Sequence, residues 1–169
     1  MAKLLKGLYW LVLLFYAYLV IETVFISRDY SRSINLIPFN SIREFIMVDN
    51  GIGGYRIVDI NIWGNILMFV PAGIYIMLHY RNITLLNNLF KLIGISIFIE
   101  LMQYIFSLGA TDIDDVILNA LGGLIGISIY KVFMKIFKEE IKIQKAISIL
   151  SSIIGVPIFI LFLILVIFT

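Results

Sequence analysis

Long apolar stretches alternate with short polar connections along this 169-residue chain. A helix that crosses the hydrocarbon core of a bilayer needs about 20 predominantly apolar residues. Five stretches meet this requirement, at about 4–26, 61–80, 85–107, 113–134 and 146–168. The pattern therefore predicts an all-α fold, a polytopic membrane helix bundle with about five transmembrane helices.

The composition excludes an ordinary soluble domain. Hydrophobic residues make up 62% of the chain and charged residues 14%, whereas soluble domains are about half apolar and about one quarter charged. The chain has no cysteine, which excludes disulfides and thiolate metal sites. Basic residues are sparse and lie at the ends of the apolar stretches, so we expect no nucleic-acid partner.

The basic residues also predict how the bundle is oriented. We expect the first stretch to be a retained helix, because it runs on to Ile26 and no small-x-small cleavage site follows it. The segments at one membrane face then hold Lys3, Lys6, Arg81, Lys91, Lys131, Lys135, Lys138, Lys142 and Lys145. Those at the other face hold Arg28, Arg32, Arg43 and Arg56. The positive-inside rule therefore predicts a multi-pass protein with a cytoplasmic N-terminus and an external C-terminus.

The external loop 27–60 is more than a linker. Asn40 or Ser41 can cap a helix, and the spacing Ser41-x-x-Glu44 is that of a capping box. We expect a short interfacial or re-entrant helix here, ended by a turn in "DNGIGG" at 49–54. We assign residues 1–137 to one membrane domain, and 138–169 to a basic linker and a fifth transmembrane helix.

The stretch "GATDIDDVILNALGG" at 109–123 carries three aspartates and an asparagine into an apolar helix. Acids in a first helical turn bind free amides and complement the helix dipole, which explains Asp112 and Asp114. Asp112, Asp115 and Asn119 also share one helix face, and Asn119 lies two turns into the membrane. We therefore expect Asp115 and Asn119, with Asp112, to line a polar site.

Two further pairs of polar residues are predicted to lie at the same external level. Glu100 and Gln103 share a helix face, and a charge within a span costs about 3 kcal/mol unless it faces the bundle or water. Glu100 is a candidate general acid or base, a candidate cation ligand or a structural contact. Asn61 and Asn65, four residues apart, can bind a ligand or join helices.

Charged groups in this region suggest what the site would bind. Arg28 and Arg32 lie four residues apart at the membrane edge, and arginine suits phosphate and carboxylate groups. They can hold an anionic head group, or pair with nearby acids on the surface. A metal site formed by Glu100, Asp112 and Asp115 would have only oxygen ligands, which suit Mg²⁺ or Ca²⁺, although the spacing proves neither.

Four motifs together resemble one family, the VanZ-like membrane proteins. They are "NLIPF" at 35–39, "NILMFVPAG" at 65–73, "ELMQ" at 100–103 and "TDIDDVILNALGG" at 111–123. The resemblance covers roughly residues 5–132. It places the family's recurring positions on Asn35, Pro38, Asn65, Pro71, Gly73, Glu100, Gln103, Asp112, Asp115, Asn119 and Gly122. It implies a bacterial cell-membrane protein, and its founding member is associated with low-level resistance to the lipoglycopeptide teicoplanin.

Two hypotheses for function follow. In the first, an outward-facing polar pocket binds a lipid head group, a lipid-linked cell-wall precursor or a lipoglycopeptide. In the second, a membrane-embedded hydrolase or transferase acts on envelope lipids, with Glu100 and either Asp115 or Asp112 as acid and base or as divalent-cation ligands. A transporter is disfavoured, because the cytoplasmic halves of the spans carry few polar groups and no internal repeat is visible.

Overall fold

The computed structural model describes residues 3–26, 31–44, 46–49, 55–58, 60–80 and 84–168. The α-helices are α1 (Lys3–Ile21), α2 (Asn40–Glu44), α3 (Ile60–His79), α4 (Leu85–Phe106), α5 (Ile113–Phe137) and α6 (Glu140–Phe168). A π-helical turn, Glu22–Ile26, follows α1. The strands are β1 (Ser31–Asn35), β2 (Ile46–Asp49), β3 (Tyr55–Val58) and β4 (Leu108–Asp112).

Five of the described helical segments are long and apolar enough to cross a membrane, which confirms the predicted fold class. They run over Leu5–Ile26, Asn61–His79, Leu85–Phe106, Ile113–Phe137 and Glu140–Ile164. The last helix differs from its predicted bounds, because α6 begins at Glu140 and not near 146. Lys142 and Lys145 therefore belong to its first turns, where Lys142 forms an ion pair of 2.7 Å with Glu139.

The chain forms two compact units. One consists of Met1–Thr23 and Val132–Thr169, and the other is Val24–Lys131. In the first unit α1 packs against α6, with the ring of Phe15 meeting those of Phe159 and Phe162 edge-on or tilted. The Cα of Gly155 lies against Val12. The second unit contains every motif that carried the family resemblance.

In the second unit, glycines let α3 and α5 approach backbone to backbone. A Cβ added at Gly122 would overlap the carbonyl of Ile66, and one added at Gly126 would overlap that of Val70. Gly73 on α3 meets the backbone of α5 in the same way. The small-residue pattern of α5 is therefore a packing surface, as its spacing predicts.

Two pairs of strands were not predicted from the sequence. β1 runs parallel to β4, with Ser31 opposite Leu108 and Asn35 opposite Asp112. This pairing places the segment that follows β1 beside the start of α5. β2 and β3 are antiparallel, with Asp49 opposite Tyr55.

The predicted interfacial helix is therefore shorter than expected. It ends at Glu44, and the residues from Ile46 onward form β2. Ile46, Met47 and Val48 suit a strand, and the Asn50–Gly51 pair that follows favours a hairpin. The turn predicted at 49–54 falls, from residue 50 onward, outside the described residues.

Candidate functional site

Asp112 caps α5 and also holds the segment that follows β1. Its Oδ1 accepts the backbone N–H of Asp114 at 2.9 Å, which confirms the predicted capping role. The same oxygen accepts from Asn35 Nδ2 at 3.0 Å. The hydroxyl of Ser41 donates to the other carboxylate oxygen, Oδ2. Asp112 therefore joins the motif "NLIPF" to the motif "TDIDD".

Asp114 is a clamp on the start of α2. Its Oδ1 accepts the backbone N–H of Phe39 at 2.5 Å, and its Oδ2 accepts that of Ile42 at 3.0 Å. The first backbone N–H groups of a helix have no acceptor within that helix. Asp114, which belongs to α5, supplies acceptor oxygens at the start of α2. Phe39 has a φ of 65°, a left-handed conformation that a non-glycine residue rarely adopts. The two bonds hold that strained backbone in place.

This role of Asp114 was missed by reasoning from the sequence. The spacing indicated a charge that complements the dipole of its own helix, and the capping box indicated that Ser41 and Glu44 would cap α2. In the structure the hydroxyl of Ser41 is donated to Asp112. No local pattern carries the signal, because the bonds of Asp114 join residues 72 and 75 positions apart.

Glu100 and Gln103 both face the interior of the second unit. The Oε2 of Glu100 accepts the backbone N–H of Asp112 at 2.9 Å, and the hydroxyl of Thr111 donates to the carbonyl of Glu100 at 3.3 Å. The Nε2 of Gln103 donates at 3.1 Å to the carbonyl of Val24, within the π-helical turn. Glu100 thus fixes the junction of β4 and α5, and Gln103 fixes the turn before β1.

Asp115 lies at a small pocket between α2, α3 and α5. Asn65 Nδ2 donates to its Oδ1 at 2.5 Å. The cavity has a volume of about 10 Å³, enough for about one water. Its lining combines the polar residues Ser41, Asn61, Asn65, Asp114 and Asp115 with the apolar residues Ile42, Ile62 and Leu118. Three predicted site residues, Asn61, Asn65 and Asp115, are therefore brought together.

Asn119 does not line that pocket but points to α4. It is 2% exposed, and its Nδ2 donates to the Oγ of Ser96 at 2.9 Å. Ser96 is fully buried on the face of α4 that also carries Glu100 and Gln103. The predicted shared face of α5 thus divides, with Asp115 at the pocket and Asn119 one turn deeper, between helices.

The structure does not describe the side chains of the two predicted anion-binding arginines. Arg28 lies outside the described residues, and of Arg32 only the backbone is described, paired with Gly109. Arg43 is exposed on α2. Among the described residues, no group of three or more His, Cys, Asp or Glu side chains could hold a metal ion. Head-group capture by Arg28 and Arg32, and binding of Mg²⁺ or Ca²⁺, stay predictions.

The motifs that carried the resemblance therefore meet at one end of the second unit, with Asn35 on Asp112 and Phe39 on Asp114. Residues 4–135 match the family model described as VanZ/LLP1. The chain belongs to the VanZ/LLP1 family. It is 31% identical over 131 residues to Protein VanZ of Enterococcus faecium, which covers 77% of this chain and 70% of that protein. No solved structure matches.

Membership of the VanZ/LLP1 family confirms the resemblance read from the motifs. Together with the five apolar helices, it identifies a membrane protein. The whole arrangement around Asp112, Asp114 and Asp115 lies inside the matched region, whereas α6 lies beyond it.

Proposed function

We propose that this VanZ/LLP1 protein binds an amphiphile of the bacterial envelope, a lipid head group or a lipid-linked cell-wall precursor, at the pocket of Asp115. The observation that carries the proposal is an apolar tip directly beside polar groups. Leu36, Ile37 and Phe39 are 69%, 68% and 52% exposed, and Ser41 and Ile42, two and three positions after Phe39, line the pocket. An amphiphile needs such a boundary between apolar and polar surface.

The charge distribution supports an external site in the bacterial cell membrane. With the N-terminus in the cytoplasm, as the positive-inside rule predicts, the starts of α3 and α5 face outward. The pocket would then meet the outer leaflet, where envelope lipids and a lipoglycopeptide are both accessible. The family resemblance adds a link to teicoplanin resistance, which we extend to this chain as part of the proposal.

The pocket as it stands holds about one water, so a head group requires the α2 segment to move. The Asp112 carboxylate holds that segment through the hydroxyl of Ser41, and the Asp114 carboxylate holds it through two backbone N–H groups. Ile42 also makes an apolar contact with Ile62, Ile66 and Leu118. We infer that binding shifts this segment and enlarges the cavity. Arg28 and Arg32 would hold the anionic part of the ligand, with Mg²⁺ or Ca²⁺ as a candidate bridging ion.

The alternative is a membrane-embedded hydrolase or transferase. The bonding of Asp112 favours a positioning role for that residue, because its carboxylate accepts three bonds within the protein. An enzyme would then rely on Glu100 and Asp115. Incubation of the purified protein with envelope lipids, with and without Mg²⁺ or Ca²⁺, tests this, since a change in any lipid species would establish catalysis.

Mass spectrometry of lipids that co-purify with the protein tests binding. We expect a bound species in the wild type that is lost from Asp115→Asn. The exposed Glu139→Gln serves as a matched control, because it removes one carboxylate far along the chain from the pocket residues. An identical lipid profile in all three proteins contradicts the proposal.

A further inference from the structure

Three buried amide side chains on α4 and α5 donate a hydrogen bond through nitrogen but accept none through oxygen among the described residues. Asn88, Gln103 and Asn119 donate through nitrogen to Tyr80 O, Val24 O and Ser96 Oγ respectively. Their side-chain oxygens are buried and have no donor among the described residues. An unsatisfied buried acceptor costs about 1–3 kcal/mol, so each oxygen requires a donor that the described part of the chain does not supply.

The side-chain oxygen of Asn119 gives the strongest evidence for a donor from outside the two helices. Both α4 and α5 are described along their whole lengths, and neither provides a donor to its Oδ1. Rotating the amide by 180° would exchange an unpaired oxygen for an unpaired N–H. Water satisfies either arrangement, because it both donates and accepts, and buried waters typically bind such otherwise unsatisfied groups.

Five polar residues of the two helices are here called the α4–α5 polar seam: Ser96, Glu100, Gln103, Asp115 and Asn119. Asn119 and Ser96 are bonded directly to each other across it. Ser96, Glu100 and Gln103 are spaced i, i+4, i+7 on the buried face of α4. Asp115 lies one turn before Asn119 on α5 and lines the pocket. Below the seam, Leu92 packs onto Gly123, and this apolar contact ends it.

We propose that water occupies the α4–α5 polar seam beside Asn119, and that this water connects Asn119 with the separate pocket of Asp115, one turn earlier on α5. The hydrated seam gives the buried carboxylate of Glu100 a route for proton exchange with solvent. It stops at Leu92, so it serves the site and does not cross the membrane. The proposal goes beyond amphiphile binding and does not depend on it, since it rests on unsatisfied groups within the helices.

The absence of cysteine in the chain makes the test direct. Ser96→Cys is nearly isosteric and places a thiol in the seam, where a water path admits aqueous Ag⁺. Ile127→Cys is the matched control, because Ile127 is fully buried in α5 below the Leu92 contact. We expect Ag⁺ to react faster in Ser96→Cys by about tenfold or more, since a dry position reacts only through costly local opening.

A second variant separates hydration from general helix opening. Adding Asn119→Leu to Ser96→Cys removes the unsatisfied amide and should reduce the reaction to the level of Ile127→Cys. Asn119→Cys replaces Ser96→Cys if the latter misfolds. Equal rates in Ser96→Cys and Ile127→Cys, or no reaction in Ser96→Cys until the protein is denatured, overturn the proposal. Neither result bears on the co-purifying lipid, so failure of this proposal is distinct from failure of the binding proposal.

Discussion

The carboxylate of Asp114 binds the backbone N–H of Phe39 at 2.5 Å, although 75 positions separate the two residues in the chain. The same carboxylate binds the N–H of Ile42, so one side chain on α5 fixes both the left-handed Phe39 and the start of α2. The acids of "TDIDD" therefore act largely on another segment of the chain. They set the position of the exposed tip that the proposed ligand would meet.

Removal of the Asp114 clamp should destabilise the protein. Asp114→Ala leaves two amides without a partner, and bonds to charged groups contribute about 1.5–3 kcal/mol each. We expect a loss of about 2–4 kcal/mol, measured as a lower midpoint of thermal unfolding in detergent. Glu44→Ala is the control, because Glu44 is exposed and accepts only a long side-chain bond of 3.3 Å from Asn40 among the bonds described for it. Equal midpoints for the two variants would contradict the clamp.

The sequence was sufficient to predict the features that insertion into a bilayer requires. Helix number and approximate bounds follow from apolar length, and the cap at Asp112 follows from its place before Val116 and Leu118. The pairing of β1 with β4 did not follow, because parallel pairing between distant segments has no local signal. The partner of Asp114 was invisible for the same reason. Glu100 and Gln103 were predicted to face the protein, but spacing alone cannot say that their partners are Asp112 and Val24.

The close approach of α3 and α5 should make glycine substitutions strongly position-dependent. Gly122→Ala places a methyl group against the carbonyl of Ile66, and backbone cannot yield as a side chain can. We expect it to lower the unfolding midpoint. Gly64→Ala, on α3, meets open space and should leave the midpoint unchanged or raise it, because alanine favours a helix by up to about 1 kcal/mol. Equal tolerance at both positions would refute the packing argument.

The bond between Asn65 and Asp115 can be tested by exchanging the two residues. Asn65→Asp alone places two carboxylates where one amide donates at 2.5 Å, and it should weaken both teicoplanin resistance and lipid co-purification. Adding Asp115→Asn restores a carboxylate–amide pair, with the carboxylate now on α3 and the amide on α5. If the pair only positions α3 and α5, the exchange should recover function. If the carboxylate must sit on α5 to meet the ligand, the exchange should recover the unfolding midpoint but not function.

Two substitutions of Glu100 can distinguish its contribution to stability from its contribution to function. Glu100→Gln keeps an oxygen that can accept the backbone N–H of Asp112, so membrane insertion and the unfolding midpoint should stay close to those of the wild type. It removes the ionisable carboxyl group, and the resistance that the proposed function implies should be lost. Glu100→Ala leaves that buried N–H unpaired and should lower stability by about 1–3 kcal/mol. Thermal unfolding, expression level and teicoplanin susceptibility measured on the same preparations distinguish the cases. Full resistance in Glu100→Gln would show that Glu100 acts only as an acceptor for the start of α5, and that the charged site is confined to Asp115.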